Sequence, residues 1–368
     1  MLIIWILVGS ALLFVLQRTV YSRCWDEKLN VTFRFSSRAV TEGESAELIE
    51  RCENRKLLPL PTFGCSYSVK RNFTAPTELA EKPLTLRRKF AVPWRSAVTN
   101  RAKINGLVRG VYSINDVVLT GSDLFHTANL QWHTSSDSRL IVYPAKIPAQ
   151  KLALAARLLM GSVTTRRMTQ EDPFALKTIR QYEIFDSPRL INWKASARTG
   201  ELKVNQFENT TDEVLLFILD MGGGEVDARE KLIRLASSLS MLFLRRGVSV
   251  SMMANCRNCI TGRQISIRSG AVAGHQTAID ESLARINLAL PVTAPFSEFL
   301  AAIPRASLDS AIPVVLSADT TDGALRAFRA VESRYGGHFL SVNSEGRVWT
   351  QDGITLINSG AAESEARL

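Results

Sequence analysis

The chain is 368 residues long, 46% apolar and 22% charged, with a formal net charge of +10 and five cysteines. That length exceeds one typical domain, so two or three are expected. A mean hydropathy near zero argues against a polytopic membrane protein, and an odd cysteine count implies no disulfide framework. The positive balance suits an anionic surface such as a membrane leaflet. The basic clusters Arg87-Arg88-Lys89, Arg166-Arg167 and Arg245-Arg246 are short and dispersed, with no RNP-like, zinc-finger or basic-zipper pattern, so no nucleic-acid partner is expected.

Residues 2–16, LIIWILVGSALLFVL, carry no charge. Continued past Gln17-Arg18 to Tyr21, the run approaches the length of a membrane helix, and residues 1–22 are read as a single-pass anchor. No basic segment precedes it and no small-residue cleavage site follows, as a signal peptide would require. A buried core helix is the alternative. Arg18, Arg23 and Lys28 all lie on one side, which by the positive-inside rule places the bulk of the chain in the cytoplasm.

Residues 27–145 read as short β-type runs: 29–35, 45–54, 65–73, 85–92, 96–104, 111–119 and 139–144. Turn signals such as Asn105-Gly106 separate them. Strands at this spacing predict an all-β sandwich. Residues 146–210 form a connecting segment. It opens with the helix-compatible run LALAARLLMG and ends in RQYEIFDSPRLINWKASARTGELKVNQFE (180–208), which follows neither helical nor strand periodicity. Asp186-Ser187-Pro188 reads as a helix start. The segment is expected to bury Trp193 and to pair Asp186 with Arg189 or Arg198; a binding surface is the other reading.

From 211 to 368 strands and helices alternate: EVLLFILD (213–220), a helix over 227–245 stopped by Gly247, GVSVSMMA (247–254), RQISI (263–267), a helix over 276–290, IPVVLS (312–317), a helix over 323–337 and HFLSV (338–342). This predicts an α/β domain with a mainly parallel sheet and ligands at the carboxyl ends of its strands.

Tyr182, Asp186, Arg189, Asn192, Trp193 and Arg198 fall in an order that resembles the signature "YxxGDxxRxINWxxSAR" of a bacterial membrane-protein family, domain-of-unknown-function family 58. Asn54-Arg55 with Leu58-Pro59-Leu60-Pro61, Arg109-Gly110-Val111-Tyr112 and Ser122-Asp123-Leu124-Phe125 resemble further family runs. The family usually has two N-terminal membrane helices, and this chain offers one. The resemblance implies a von Willebrand factor A-like domain after the signature and a MoxR-type AAA+ ATPase as partner. The implied role is that of a membrane-tethered, non-enzymatic adaptor.

Such domains often hold a metal through D-x-S-x-S plus a later Thr and Asp. In this chain the matching segment is Asp220-Met221-Gly222-Gly223-Gly224, with Asp319 and Thr277 as the remaining candidates. A hard divalent cation wants carboxylate and hydroxyl oxygens. Two carboxylates without the hydroxyls make at most a weak magnesium site, so no cofactor is expected. The glycines Gly222, Gly223 and Gly224 instead suggest close approach to a partner backbone. Cys256-Arg257-Asn258-Cys259 lacks a second ligand pair and reads as ordinary loop thiols. No Walker A, HExxH, GxGxxG or GxSxG pattern occurs, so no catalytic residue is assigned. The alternative function is metal-dependent ligand binding or adhesion outside the cell. A metal-assisted hydrolase using Asp186 or Asp220 is the least supported.

Overall fold

A computed structural model describes residues 2–71, 84–169, 176–182, 188, 191–207, 214–271, 274–343, 345–350 and 355–357. The chain divides into two compact units: Met1–Ala145 with Asn258–Gly262 and Asp280–Leu290, and Lys146–Arg257 with Arg263–Ile279 and Pro291–Leu368.

The first unit begins with α1 (Leu2–Cys24). Within it Ile3–Cys24 is long and apolar enough to cross a membrane. One face of its second half is engaged. The Phe14 ring meets Phe125 at 5.8 Å, Gln17 Nε2 donates to Asp123 at 2.8 Å, and the buried Tyr21 donates its hydroxyl to Pro59 O at 2.8 Å.

Among the described residues, nine strands follow in two sheets. β1 (Leu29–Phe35), β3 (Ala46–Asn54) and β6 (Ser96–Ile104) make a three-stranded antiparallel sheet. The second sheet orders β2 (Ala39–Thr41), β9 (Arg139–Tyr143), β7 (Gly110–Ser122), β4 (Leu60–Arg71) and β5 (Leu84–Val92), with β8 (Asn129–Thr134) also on β7. The alternation in β3, buried at every second position, is that of a strand with one face on a core. Phe33, Leu48, Cys52 and Ile104 from the first sheet share one core with Phe63, Tyr67, Ile114 and Leu140 from the second. The ring of Phe33 meets that of Tyr67 edge-on at 5.1 Å. Two sheets therefore enclose a single apolar layer.

The second unit starts with α2 (Ala153–Thr169), then β10 (Leu176–Gln181), α3 (Trp193–Thr199) and β11 (Lys203–Phe207), where β10 and β11 pair antiparallel. The α/β part comprises β12 (Val214–Asp220), α4 (Val226–Leu244), β13 (Ser249–Arg257), β14 (Gln264–Gly270), α5 (His275–Ala284), α6 (Phe296–Ala302), α7 (Arg305–Asp309), β15 (Ala311–Ser317), α8 (Asp322–Tyr335), β16 (His338–Val342), β17 (Val348–Thr350) and β18 (Thr355–Ile357). The sheet order is β14-β13-β12-β15-β16-β17-β18.

Its central strands β13, β12, β15 and β16 pair in parallel. At the edges β14 pairs antiparallel with β13, β17 with β16, and β18 with β17. The sheet is thus mixed rather than mainly parallel. The short links 258–263 and 343–347 cannot hold a crossover helix, so those strands must return antiparallel. In the centre, Leu216, Ile218, Val315 and Phe339 pack with Phe296, Phe299, Phe328 and Val331 of α6 and α8. The helix α4 packs against β13, β15 and β16. Strands buried on both faces need the continuous apolar runs seen in β12 and β15.

The helix expected over 276–290 ends at Ala284. The buried Arg109 lies at that end and donates from Nη1 to Leu283 O at 2.7 Å and to Ile286 O at 3.0 Å. A cation there complements the partial negative charge of the helix terminus. Tyr112, four residues from Val108, accepts from Val108 N at 3.2 Å and donates to Val108 O at 3.1 Å. These contacts give the Arg-Gly-x-Tyr run a structural role.

Candidate functional site

The signature segment folds as a clamp on the backbone of one residue, Lys203. Asn192 is the N-cap of α3, its side-chain oxygen accepting from Ala195 N at 3.0 Å. Gly200, at φ 71°, ends the same helix in the left-handed conformation that favours glycine. Ser196 Oγ accepts from Lys203 N at 2.9 Å and donates to Asn192 O at 2.8 Å. The Asn192 N–H donates to Lys203 O at 2.8 Å. Both polar groups of Lys203's backbone are thereby held against α3. The Tyr182 N–H donates to Leu202 O at 2.9 Å, and Ile191 bridges Val204. The sequence places a capping Asn and a helical Ser four residues apart, on one face, and the returning strand docks on that face.

Trp193 does not behave as expected. It is the first residue of α3 and is 68% exposed, not buried. At the first helical position its side chain leaves the face carrying Asn192 and Ser196, so the residue buried within α3 is Ser196. Arg198 is exposed. Asp186, Ser187 and Arg189 lie outside the described residues, and with them the expected helix start and charge pair.

The second constellation lies where β13, β12 and β15 end side by side, with Leu219 opposite Ala254 and Asp220 opposite Ser317. Asp220 is buried. Its Oδ1 accepts from Gly222 N at 2.9 Å and from Asn255 Nδ2 at 2.7 Å. Its Oδ2 accepts from Ser317 Oγ at 2.8 Å. Asn255 Oδ1 accepts from Met221 N at 2.7 Å, and Ser317 Oγ accepts from Asp319 N at 3.0 Å. Arg229 of α4 donates to Met221 O at 2.9 Å. Burial lowers its pKa, while the negative charges of Asp220 and Glu230 pull the other way. The sequence reading found Asp220 and Asp319 but missed Asn255, Ser317 and Arg229. The signal available for them was position alone, since each ends or follows an apolar strand or opens a helix.

Two of the three glycines lie close against the protein's own chain. A Cβ on Gly223 would overlap the Cβ of Asp319, and one on Gly224 would lie 2.5 Å from the Cβ of Ala318. Gly224 also has φ +73°. The close approach that Gly223 and Gly224 permit is made to the protein's own 318–319 loop, while Gly222 lies against Asp220 and Val292. Thr277, expected in a loop, sits exposed on α5. Among the described residues no group of three or more His, Cys, Asp or Glu could hold a metal ion. Exposed acidic residues stand near the strand ends: Glu225, Asp227 in the first turn of α4, which pairs with Lys231 at 2.7 Å, and Asp322 in the first turn of α8.

Cys256 lies buried within β13 rather than in a loop, and Cys259 is half-buried; neither is in a disulfide. Burial raises the Cys259 pKa and pushes Cys52 and Cys65 up to about 12. Such thiols stay protonated and are poor nucleophiles at neutral pH.

Residues 178–336, less than half of the chain, match the model of a protein family described as "Protein of unknown function DUF58". That stretch holds both the signature clamp and the Asp220 constellation, and the family it matches is the one that the signature resembles. No curated protein matches the sequence. Among solved structures, the C-terminal domain of wzt is similar at 10% identity, with 32% of this chain and 75% of that one covered and a TM-score of 0.24. The CARDB domain of a Pyrococcus furiosus protein in complex with di-metal ions shows 12% identity, coverage of 32% and 94%, and a TM-score of 0.22. The Pseudomonas fluorescens alkylpurine DNA glycosylase AlkC, bound to DNA containing an abasic site analog, shows 9% identity, coverage of 30% and 31%, and a TM-score of 0.19.

Proposed function

We propose that this chain is a membrane-tethered, non-enzymatic interaction protein that serves as an adaptor for a MoxR-type AAA+ ATPase, through a von Willebrand factor A-like unit facing the cytoplasm. The observation that carries the reading is the state of Asp220. Both of its oxygens accept from protein donors, two of them N–H groups. A divalent cation placed there would meet hydrogens rather than lone pairs, so the residues do not suit a resident metal. The strand-end carboxylate then serves to tie three loops into one rigid surface, and recognition rests on shape and charge.

That surface is lined by Glu225, Asp227, Asp319 and Asp322, which favours a basic patch on the partner. The complement is the reverse of the one expected from the chain's overall positive charge. The test is binding of the detergent-solubilised full chain to the MoxR-type ATPase encoded beside it, with and without ATP. The double variant Glu225→Lys with Asp322→Lys should weaken binding about ten-fold or more at an unchanged melting temperature. No association of the wild-type chain in either nucleotide state, or binding untouched by the double reversal, would sink the proposal. For orientation, a Ser297→Cys probe, exposed on α6, should resist impermeant maleimide in intact cells.

A further inference from the structure

Three turns of the first unit converge on the second half of α1. The first is the β3–β4 connection, where Tyr21 donates to Pro59 O and Lys56 Nζ donates to Trp25 O. The second is the β5–β6 turn, tied to the first by Arg95 N donating to Lys56 O at 3.1 Å and by Asn54 Nδ2 donating to Pro93 O at 3.0 Å. The third is the β7–β8 turn. There Asp123 accepts from Gln17, from Thr127 N at 2.6 Å and from Ala128 N at 3.0 Å, and Phe125 meets Phe14. Burial alone would raise the Asp123 carboxyl pKa. The donors from Gln17, Thr127 and Ala128 outweigh it and hold the group below the usual carboxylate range.

Each turn leaves large apolar side chains in the open. Leu57 is 71% exposed, Trp94 63%, Leu124 50% and Phe125 57%. Basic residues stand among them: Arg18 and Arg23 on α1, Arg55, Lys56 and Arg95 on the turns. Asp26 and Glu27 are exposed there too, and Glu53 pairs with Arg55 at 2.9 Å. Exposed apolar side chains from separate, fixed turns, ringed by cations, have the composition of a surface that meets an anionic lipid leaflet.

Depth along α1 makes the fit specific. Phe14 precedes Arg18 by one helical turn, roughly 6 Å. The residue touching Phe14 therefore lies level with the last turn of the apolar run 2–16. That run is roughly 22 Å long at about 1.5 Å per residue, short of a hydrocarbon core of about 30 Å. Leu124 and Phe125 extend the apolar surface sideways at the level where the uncharged run ends, and Gln17 is met by Asp123 there. Trp94 suits the headgroup level, where tryptophan concentrates.

We propose that this end of the first unit is itself a membrane-docking surface, inserting Leu124 and Phe125 into the anionic leaflet beside the end of the apolar run of α1, with Leu57 and Trp94 at headgroup depth. The proposal rests on α1 as the anchor. The full chain, with Cys24→Ser and Cys259→Ser, is reconstituted into phosphatidylcholine–phosphatidylglycerol liposomes with an environment-sensitive probe on Phe125→Cys. A control probe sits on Glu47→Cys, exposed at the far end of β3. The Phe125 probe should emit to the blue and be quenched by spin-labelled lipid about two-fold more than the control. Adding Arg55→Glu and Arg95→Glu should abolish the excess quenching gained on going from neutral to anionic liposomes. A water-like, unquenched Phe125 probe on protein that still floats with the liposomes overturns docking and leaves the anchor standing. Protein that fails to float overturns both.

Discussion

Replacing Asp220 by alanine separates a structural carboxylate from a metal-binding one. Three donors lose their acceptor: Gly222 N, Asn255 Nδ2 and Ser317 Oγ. Gly222 is exposed and water can take over, whereas Asn255 and Ser317 are fully buried. A hydrogen bond to a charged group contributes about 1.5–3 kcal/mol, so the two buried losses together cost about 3–6 kcal/mol. Asp220→Asn keeps the shape and one oxygen for Gly222 and Asn255, while its new amide can donate to Ser317 Oγ. Its cost should be about 1 kcal/mol. The assay is denaturation of the detergent-solubilised chain, in chelator and then across a magnesium titration. If a cation did bind, magnesium at about a hundred times its dissociation constant would add about 2.7 kcal/mol to the wild type. The reasoning is refuted if Asp220→Ala melts like the wild type. It is equally refuted if magnesium stabilises the wild type saturably and Asp220→Asn removes that gain.

Other substitutions follow from the same geometry. Trp193→Ala should change stability by less than about 1 kcal/mol because the ring is mostly exposed; a partner lost at an unchanged melting temperature would mark Trp193 as a contact residue. Asn192→Ala should cost about 1 kcal/mol through the lost cap, and Ser196→Ala about 1–3 kcal/mol because the Lys203 N–H loses its acceptor; denaturant midpoints compare them. Gly223→Ala should lower the melting temperature, since the added methyl meets Asp319; a neutral result would show that the 318–319 loop yields freely. Burial lowers the His338 pKa, and its ring meets Ser162 Oγ at 2.6 Å. The folded state thus binds fewer protons there than the unfolded one, whose histidine titrates near about 6.5. The stability is present above that pH and is lost as pH falls toward the folded value. Melting at pH about 7.5 and 5.5 should show a smaller acid loss in His338→Gln.

The elements of the β region were legible because each strand keeps one face on the core. The period-two pattern of 29–35, 46–54 and 96–104 survives in the sequence. β2 and β8 were missed: one is three residues long, and the other is mostly exposed, so neither prints a burial pattern. The central α/β strands showed as apolar runs for the opposite reason, burial on both faces. Their antiparallel neighbours were invisible in direction because direction is set by the length of the link and not by the strand. In the signature, the sequence disclosed that an unusual local structure existed but misassigned its buried residue. A tryptophan suggests a core by its size, yet the contacts that matter run through the Asn192 and Ser196 polar atoms to a backbone. The Asp220 partners Asn255 and Ser317 are common residue types brought together by parallel strands 35 and 97 residues away in sequence, and no local pattern announces such a meeting.

The contact between Arg109 and Leu283 spans 174 residues of chain. The first unit claims Asp280–Leu290, so as a ribosome releases the polypeptide its β-layers wait for a segment made long after them. Until about residue 290 has emerged, the Arg109 guanidinium has no helix end to cap and stays hydrated or misplaced. Closing a loop of that length late in synthesis favours slow completion and a window for chaperone capture. A cut at residue 145, convenient as it looks on a domain diagram, would freeze the β-layers in that unfinished state. Fragments made that way should precipitate or bind chaperones, whereas a fragment supplied with a 280–290 peptide should recover solubility.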